Sequence, residues 1–262
     1  MAENKEVAEK KASTAVTTFD DSLLSGGTGL EETTTEDYAI PFIRVLQPMS
    51  PQLLKNEGDY LPGAEAGQLL NTVTRQTYDG EEGLSIVPCA YTKKYIEFIP
   101  REKGGGFVNS NHDISILAKC KRDENTNRFM TPDGTEIVET AQYFILVLDP
   151  EPQQAVLALS STQLGTSRKW LTMLRMAKVQ NKKGESVDAP MFAYTYRLTT
   201  TTQSNDKGSW YGFSINQEGP TDIAVANVAK DFMSAARSGD VEVKEEQQRD
   251  EVVKTPKADS VI

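Results

Sequence analysis

The sequence predicts a β-rich α+β protein, mainly β with two helices, arranged as an OB-like Greek-key barrel with added N-terminal strands between two disordered acidic tails. Three observations lead there. Short β-branched or aromatic segments bounded by Gly, Pro, Asn or Asp occupy much of the chain. One stretch of helical periodicity follows them, and a two-strand hairpin pattern follows the helix. That order is the one expected of a five-stranded barrel whose helix lies between its third and fourth strands. A generic β-sandwich is the alternative arrangement of the same strands.

The elements follow in order. Residues 1–37 hold nine acidic and three basic side chains and few large apolar ones, too little to offset the entropy of ordering. Order is expected to begin at Tyr38, where IPFIRVLQ is apolar and its prolines favour extended backbone. Strands are expected over residues 70–74, 84–91, 95–99, 114–118, 142–148 and 155–159. Residues 162–179 read as the internal helix, since Leu164, Trp170, Leu171 and Leu174 recur at helical spacing and Ser161 or Thr162 could cap its start. Two more strands, from Met191 and from Ser209, are joined through Asn205-Asp206-Lys207-Gly208, where a glycine suits a positive φ. A last helix runs from Thr221-Asp222 to Arg237 and stops at Gly239. This gives a domain over 38–238 and a tail over 239–262.

Charge is unevenly laid out. The 262 residues carry a net charge of −10, but residues 84–215 hold 16 Lys+Arg against 13 Asp+Glu, so the acidity is concentrated in the flanks. A mildly basic, aromatic body with acidic ends suits a protein that holds a polyanion. No apolar run is long enough for a membrane span and no signal peptide opens the chain, so a cytoplasmic protein without membrane contact is expected. Cys89, Cys120 and His112 are too scattered for a recognised metal motif, and buried reduced thiols are the simpler reading.

Two clusters carry candidate chemistry. In YTKKYIEFIPREKGGGFV, Tyr91, Tyr95 and Phe98 alternate with Lys93, Lys94, Arg101 and Lys103 ahead of three glycines. Flat rings stack on splayed bases and cations track phosphates, so this mixture fits single-stranded nucleic acid. Alternate residues of an ordinary strand also face a core, so part of the aromatic set is expected inside. The internal helix adds Arg168, Lys169 and Arg175, with Lys178, Lys182 and Lys183 close behind. These either follow phosphates or solubilise the outer face of a helix that packs through Trp170. On the hairpin, Trp210 and Tyr211 are successive and cannot both point inward, which leaves one free to stack. The glycines match neither a P-loop nor a dinucleotide fingerprint. His112 has no nucleophile in a recognised arrangement, and Glu31-Glu32 and Glu81-Glu82 sit in tail and turn contexts, so no catalytic residue, metal or cofactor is expected.

The segments IPFIRVLQPMSPQL, PGAEAGQLLNTVT, YDGEEGLSIVPCAYTKKYIEFIPREKGGGFV, STQLGTSRKW and YRLTTTTQSNDKGSWYGFSI together resemble a group of tailed-bacteriophage early proteins, some of them called single-stranded DNA-binding proteins. The resemblance spans roughly residues 38–236 and implies a replication or recombination protein that coats exposed single strands. It also implies that replication or recombination proteins are contacted through the acidic C-terminal tail, where Glu242, Glu245, Glu246, Asp250 and Glu251 precede an apolar Val261-Ile262 tip. That tail is only −3 overall, less acidic than is usual for such proteins.

The expectation is a non-enzymatic, sequence-tolerant single-stranded DNA binder. Tyr91, Tyr95, Phe98 and Trp210 would stack on bases, and Lys93, Lys94, Arg101, Lys103, Arg168, Lys169 and Arg175 would hold phosphates. The alternative is a phage interaction module that binds a host or virion protein through the same aromatics. Oligomeric state is left open.

Overall fold

A computed structural model describes residues 20, 25, 27–33, 38–124, 128–149, 151–206, 208–241 and 243. Most of both expected tails lies outside the described residues. The strands are β1 (Ile43–Val45), β2 (Leu69–Asn71), β3 (Thr77–Tyr78), β4 (Leu84–Phe98), β5 (Phe107–Asn111), β6 (Lys121–Arg122), β7 (Phe129–Met130), β8 (Glu136–Leu148), β9 (Pro152–Ser160), β10 (Lys178–Gln180), β11 (Ser186–Asp188), β12 (Tyr194–Asn205) and β13 (Gly208–Pro220). The helices are α1 (Leu164–Met176) and α2 (Ile223–Ser238). The described residues are therefore mainly β with two α-helices. No described helix is long and apolar enough to cross a membrane.

Eight strands form one antiparallel sheet that curls into a half-barrel. Its path runs β13, β12, β4, β8, β7, β6, with β5 added to β4 and β9 added to β8. β4 and β8 pair along most of their length, from Ile86↔Val147 to Phe98↔Glu136. The register shifts between Pro88 and Ala90, where a residue without an N–H is tolerated because the ladder is already interrupted.

Both faces of the sheet are covered. On β8, Tyr143, Ile145 and Val147 join an inner core with Leu84, Ile86, Leu157, Tyr196 and Leu198, closed by Trp170 and Leu174 of α1. Phe144 and Leu146, the alternate residues, join an outer core with Phe42, Val87, Val156 and Phe232 of α2. A strand buried on both sides reads as an unbroken apolar run, which is why YFILVL shows no alternation. Each such side chain contributes roughly 1.5–3 kcal/mol through burial.

Among the described residues no ladder joins β9 to β13, so the sheet remains open where a closed barrel would seal. The N-terminal segment bridges that opening. Val156 N donates to Pro41 O at 2.8 Å on the β9 side. On the other side, the Gln47 amide grips the β13 main chain, donating to Tyr211 O at 2.9 Å and accepting from Tyr211 N at 3.0 Å. The same segment leads into a small sheet of β1, β2 and β3, the added N-terminal strands.

Several elements differ from expectation for local reasons. The expected strands 84–91 and 95–99 merge into one strand, β4, which ends at Phe98, because β8 pairs across the polar stretch between them. Residues 114–118 lie in a 3₁₀ turn and not a strand, since the Asp113 carboxylate accepts from Ser115 N and holds the chain in a turn. α1 has no side-chain cap; it is entered through a 3₁₀ turn with Ser161 at φ 51°, and Gln163 stands at its start. Its expected last residues instead open the β10–β11 hairpin. Expectation and structure agree at α2, where Asp222 Oδ1 accepts from Ala224 N at 2.8 Å and Gly239 ends the helix in the left-handed region.

Candidate nucleic-acid interface

α1 is fixed from beneath. Ser167, Trp170 and Leu174 point inward, and Tyr143 of β8 bonds to Ser167 while its ring stacks on Trp170 at 4.4 Å between centroids. Trp170 in turn meets Tyr196 edge-on at 5.6 Å. Burial raises the Tyr143 phenol well above its ordinary range, so this hydroxyl stays a neutral hydrogen-bonding group.

The opposite side of α1 is basic. Arg168, Lys169 and Arg175 are exposed, and among the described residues no acid pairs with any of these three side chains. Arg168 and Arg175 are seven residues apart and so lie within about 20° of one another around the helix. Beyond the helix, Asp188 is held below the usual carboxylate range by its hydrogen bond and ion pair with Lys178, with a further contribution from Arg175.

Trp210 stands near the start of this helix. Its Nε1–H donates to Gln203 Oε1 at 3.0 Å, and the same oxygen accepts from Gln163 Nε2 at 3.3 Å. Gln163 Oε1 accepts from Phe213 N, tying the entry of α1 to β13. Trp210 is half-buried, so part of its ring remains open. Tyr211, its neighbour, is used for packing: a Cβ on Gly67 would lie 2.7 Å from the Tyr211 ring. Sequence reading found Trp210 but missed Gln163 and Gln203, whose partners are 40 residues apart and leave no local pattern.

The β4 cluster is dispersed. Tyr91 is half-buried, its ring 5.1 Å from Tyr143 at the edge of the inner core. Tyr95 and Phe98 are 2% and 1% exposed, so neither presents a ring face for a base. The reason is lateral cover: β5 adds to this end of β4, and Phe98 packs with Ile96, Val138 and Phe107. Lys93 is exposed but pairs with Glu139 at 2.8 Å, a bond that raises its ammonium pKa. Lys94 is half-buried. Lys103 donates to Gly134 O at 3.3 Å, which links two turns. The Arg101 side chain lies outside the described residues. Gly104, Gly105 and Gly106 all adopt positive φ. The structure thus places Arg168, Lys169 and Arg175 on α1, with Trp210 of β13 joined to the helix entry through Gln203 and Gln163, and leaves the other candidates elsewhere.

Cys89 is buried, its thiol pushed up to about 12 by desolvation. Cys120 bonds to Ile116 O, and His112 is exposed with Nδ1 3.4 Å from Thr92 Oγ1. Among the described residues no three His, Cys, Asp or Glu side chains gather as a metal site.

Compared with known proteins, residues 8–242 match the family model described as Pam3 phage gp34-like protein. No curated protein and no solved structure matches the chain.

Proposed function

From the premise that this chain belongs to the Pam3 phage gp34-like family, a bacteriophage protein family, we propose that it is a non-enzymatic single-stranded DNA-binding protein acting in phage replication or recombination. The observation that carries the reading is the exposed set Arg168, Lys169 and Arg175 on α1, three cations that form no ion pair among the described residues. Unpaired cations on a rigid helix attract phosphates without first breaking an ion pair. Trp210, half-buried beside the start of α1, and Tyr91, half-buried at the rim of the inner core, would supply the stacking rings. Each stacked base is worth about 1–3 kcal/mol. Tyr95 and Phe98 then support the sheet and take no part in stacking.

The strand order supports an OB-like reading of the half-barrel. β4, β8 and β9 form a meander, α1 follows, and the β12–β13 hairpin returns to the free side of β4 through Tyr196↔Ile86. An OB barrel connects its five strands and helix in the same sequence. The segment through residues 41–47 takes the place of direct closure.

The test is a fluorescence titration of the whole chain with poly-dT, at low and moderate salt, with duplex DNA alongside. Quenching by the single strand, reversed by salt and weak with duplex, is expected. Absence of both quenching and a mobility shift at low salt overturns the reading and favours a protein-binding module.

A further inference from the structure

Resting on the single-strand reading above, we infer that the β10–β11 hairpin is the outer phosphate grip of the site. Lys182 and Lys183 at its tip hold the sugar-phosphate backbone of the strand where it leaves α1.

The hairpin is short, three residues on each side, and a two-stranded ribbon of that size is marginal alone. This one is fixed at both ends. At its base, Tyr194 Oη–H donates to Lys178 O at 2.7 Å, Ala189 N donates to Ala177 O at 3.1 Å, and Lys178 pairs with Asp188. At its tip, Asn181 Oδ1 accepts from Lys183 N at 2.9 Å and from Glu185 N at 3.0 Å. Gly184 takes φ 79° there, a conformation that suits a residue without Cβ.

Neither nearby acid forms an ion pair with the tip lysines. Glu185 accepts from Asn181 Nδ2 at 2.7 Å, and Asp188 is paired with Lys178. Lys182 and Lys183 remain exposed, with no acidic partner among the described residues. A tip that is ordered beforehand loses less freedom when it captures a ligand.

Position links the tip to the helix. β10 begins two residues after α1 ends, and the charge of Arg175 reaches Asp188 at the hairpin base. Cations thus stand on α1 and again at the hairpin tip, with the ion-paired Asp188 at the base between them. Lysine ammonium groups act as point charges without a planar fork, which suits phosphate contact and carries no base readout.

The experiment measures the salt dependence of poly-dT binding for the wild type, a Lys182→Ala/Lys183→Ala variant and a Lys55→Ala/Lys230→Ala variant. Thermal melts confirm that all three fold. Loss of two phosphate contacts should lower the slope of log affinity against log salt by about 1.4 in the hairpin variant alone. An unchanged slope there, with wild-type binding intact, overturns this inference and leaves the underlying reading standing. An equal drop in the Lys55/Lys230 variant also overturns it, because it would report net charge only. A wild type that does not bind overturns the single-strand reading itself.

Discussion

Tyr143 Oη lies 2.7 Å from Ser167 Oγ and donates to the Ser167 carbonyl oxygen at 3.1 Å, so a central strand of the sheet is bolted to the inner side of the basic helix. Tyr143→Phe keeps the ring on Trp170 and removes only the hydroxyl. A loss of about 1–2 kcal/mol is expected from the orphaned Ser167 groups, read as a lower urea midpoint at unchanged m-value.

Buried acids set the alkaline limit. Desolvation raises the phenols of Tyr78, Tyr143 and Tyr196, and lifts the Cys89 thiol from 9.0 to about 12. The folded state holds these protons more tightly than the unfolded chain. Their contribution is therefore full below the unfolded values, about 8.5–10, and is lost as pH rises through the folded ones. Denaturant midpoints should fall steadily above about pH 9, and Cys89→Ala should flatten the early part of that fall.

Two glycines on this scaffold should respond oppositely to alanine. A Cβ on Gly80 would lie 2.1 Å from Gly67 O and 2.3 Å from Thr200 Oγ1, where backbone cannot yield, so Gly80→Ala should destabilise by about 1–3 kcal/mol or more. Gly165 in α1 meets nothing within 4 Å, and Gly165→Ala should stabilise by about 0.5 kcal/mol through the unfolded chain. Thermal unfolding of both variants checks the pair.

Gln47 holds the two sides of the half-barrel together through Tyr211. Gln47→Leu leaves the Tyr211 N–H and carbonyl without that grip and should cost about 1–3 kcal/mol. Hydrogen exchange at the Tyr211 amide should accelerate by more than at the amides of β8.

The aromatic assignments separate by substitution. Trp210→Ala should weaken poly-dT binding by about 1–3 kcal/mol, whereas Phe98→Leu should leave it unchanged once the variant is shown to be folded. Loss of binding in folded Phe98→Leu would return the β4 cluster to the interface.

What could be read from the chain alone was whatever rests on near neighbours. Asp222 and Gly239 marked the ends of α2 because capping and left-handed termination act over three or four residues. Gly208, at φ 138°, likewise served the hairpin between β12 and β13. Arg168, Lys169 and Arg175 were legible as a helix-borne set from their spacing. The β4 cluster misled because its neighbours come from afar: Glu139, which occupies Lys93, is 46 residues on, and Phe107 reaches Phe98 only once β5 has paired. Residues 114–118 carry a strand-like composition, but one carboxylate at Asp113 decides their conformation. The bridging role of residues 41–47 had no local signature at all.

That bridge also orders events in time. Gln47 and Tyr211 are 164 residues apart, so at a translation rate of about 5–20 residues per second the segment waits roughly 8–30 s for its partner strand to emerge. Through that interval the segment can pair only with β2 and then with β9, and its β13 side stays open. The first part of the domain to be made is fastened on its β13 side only near the end.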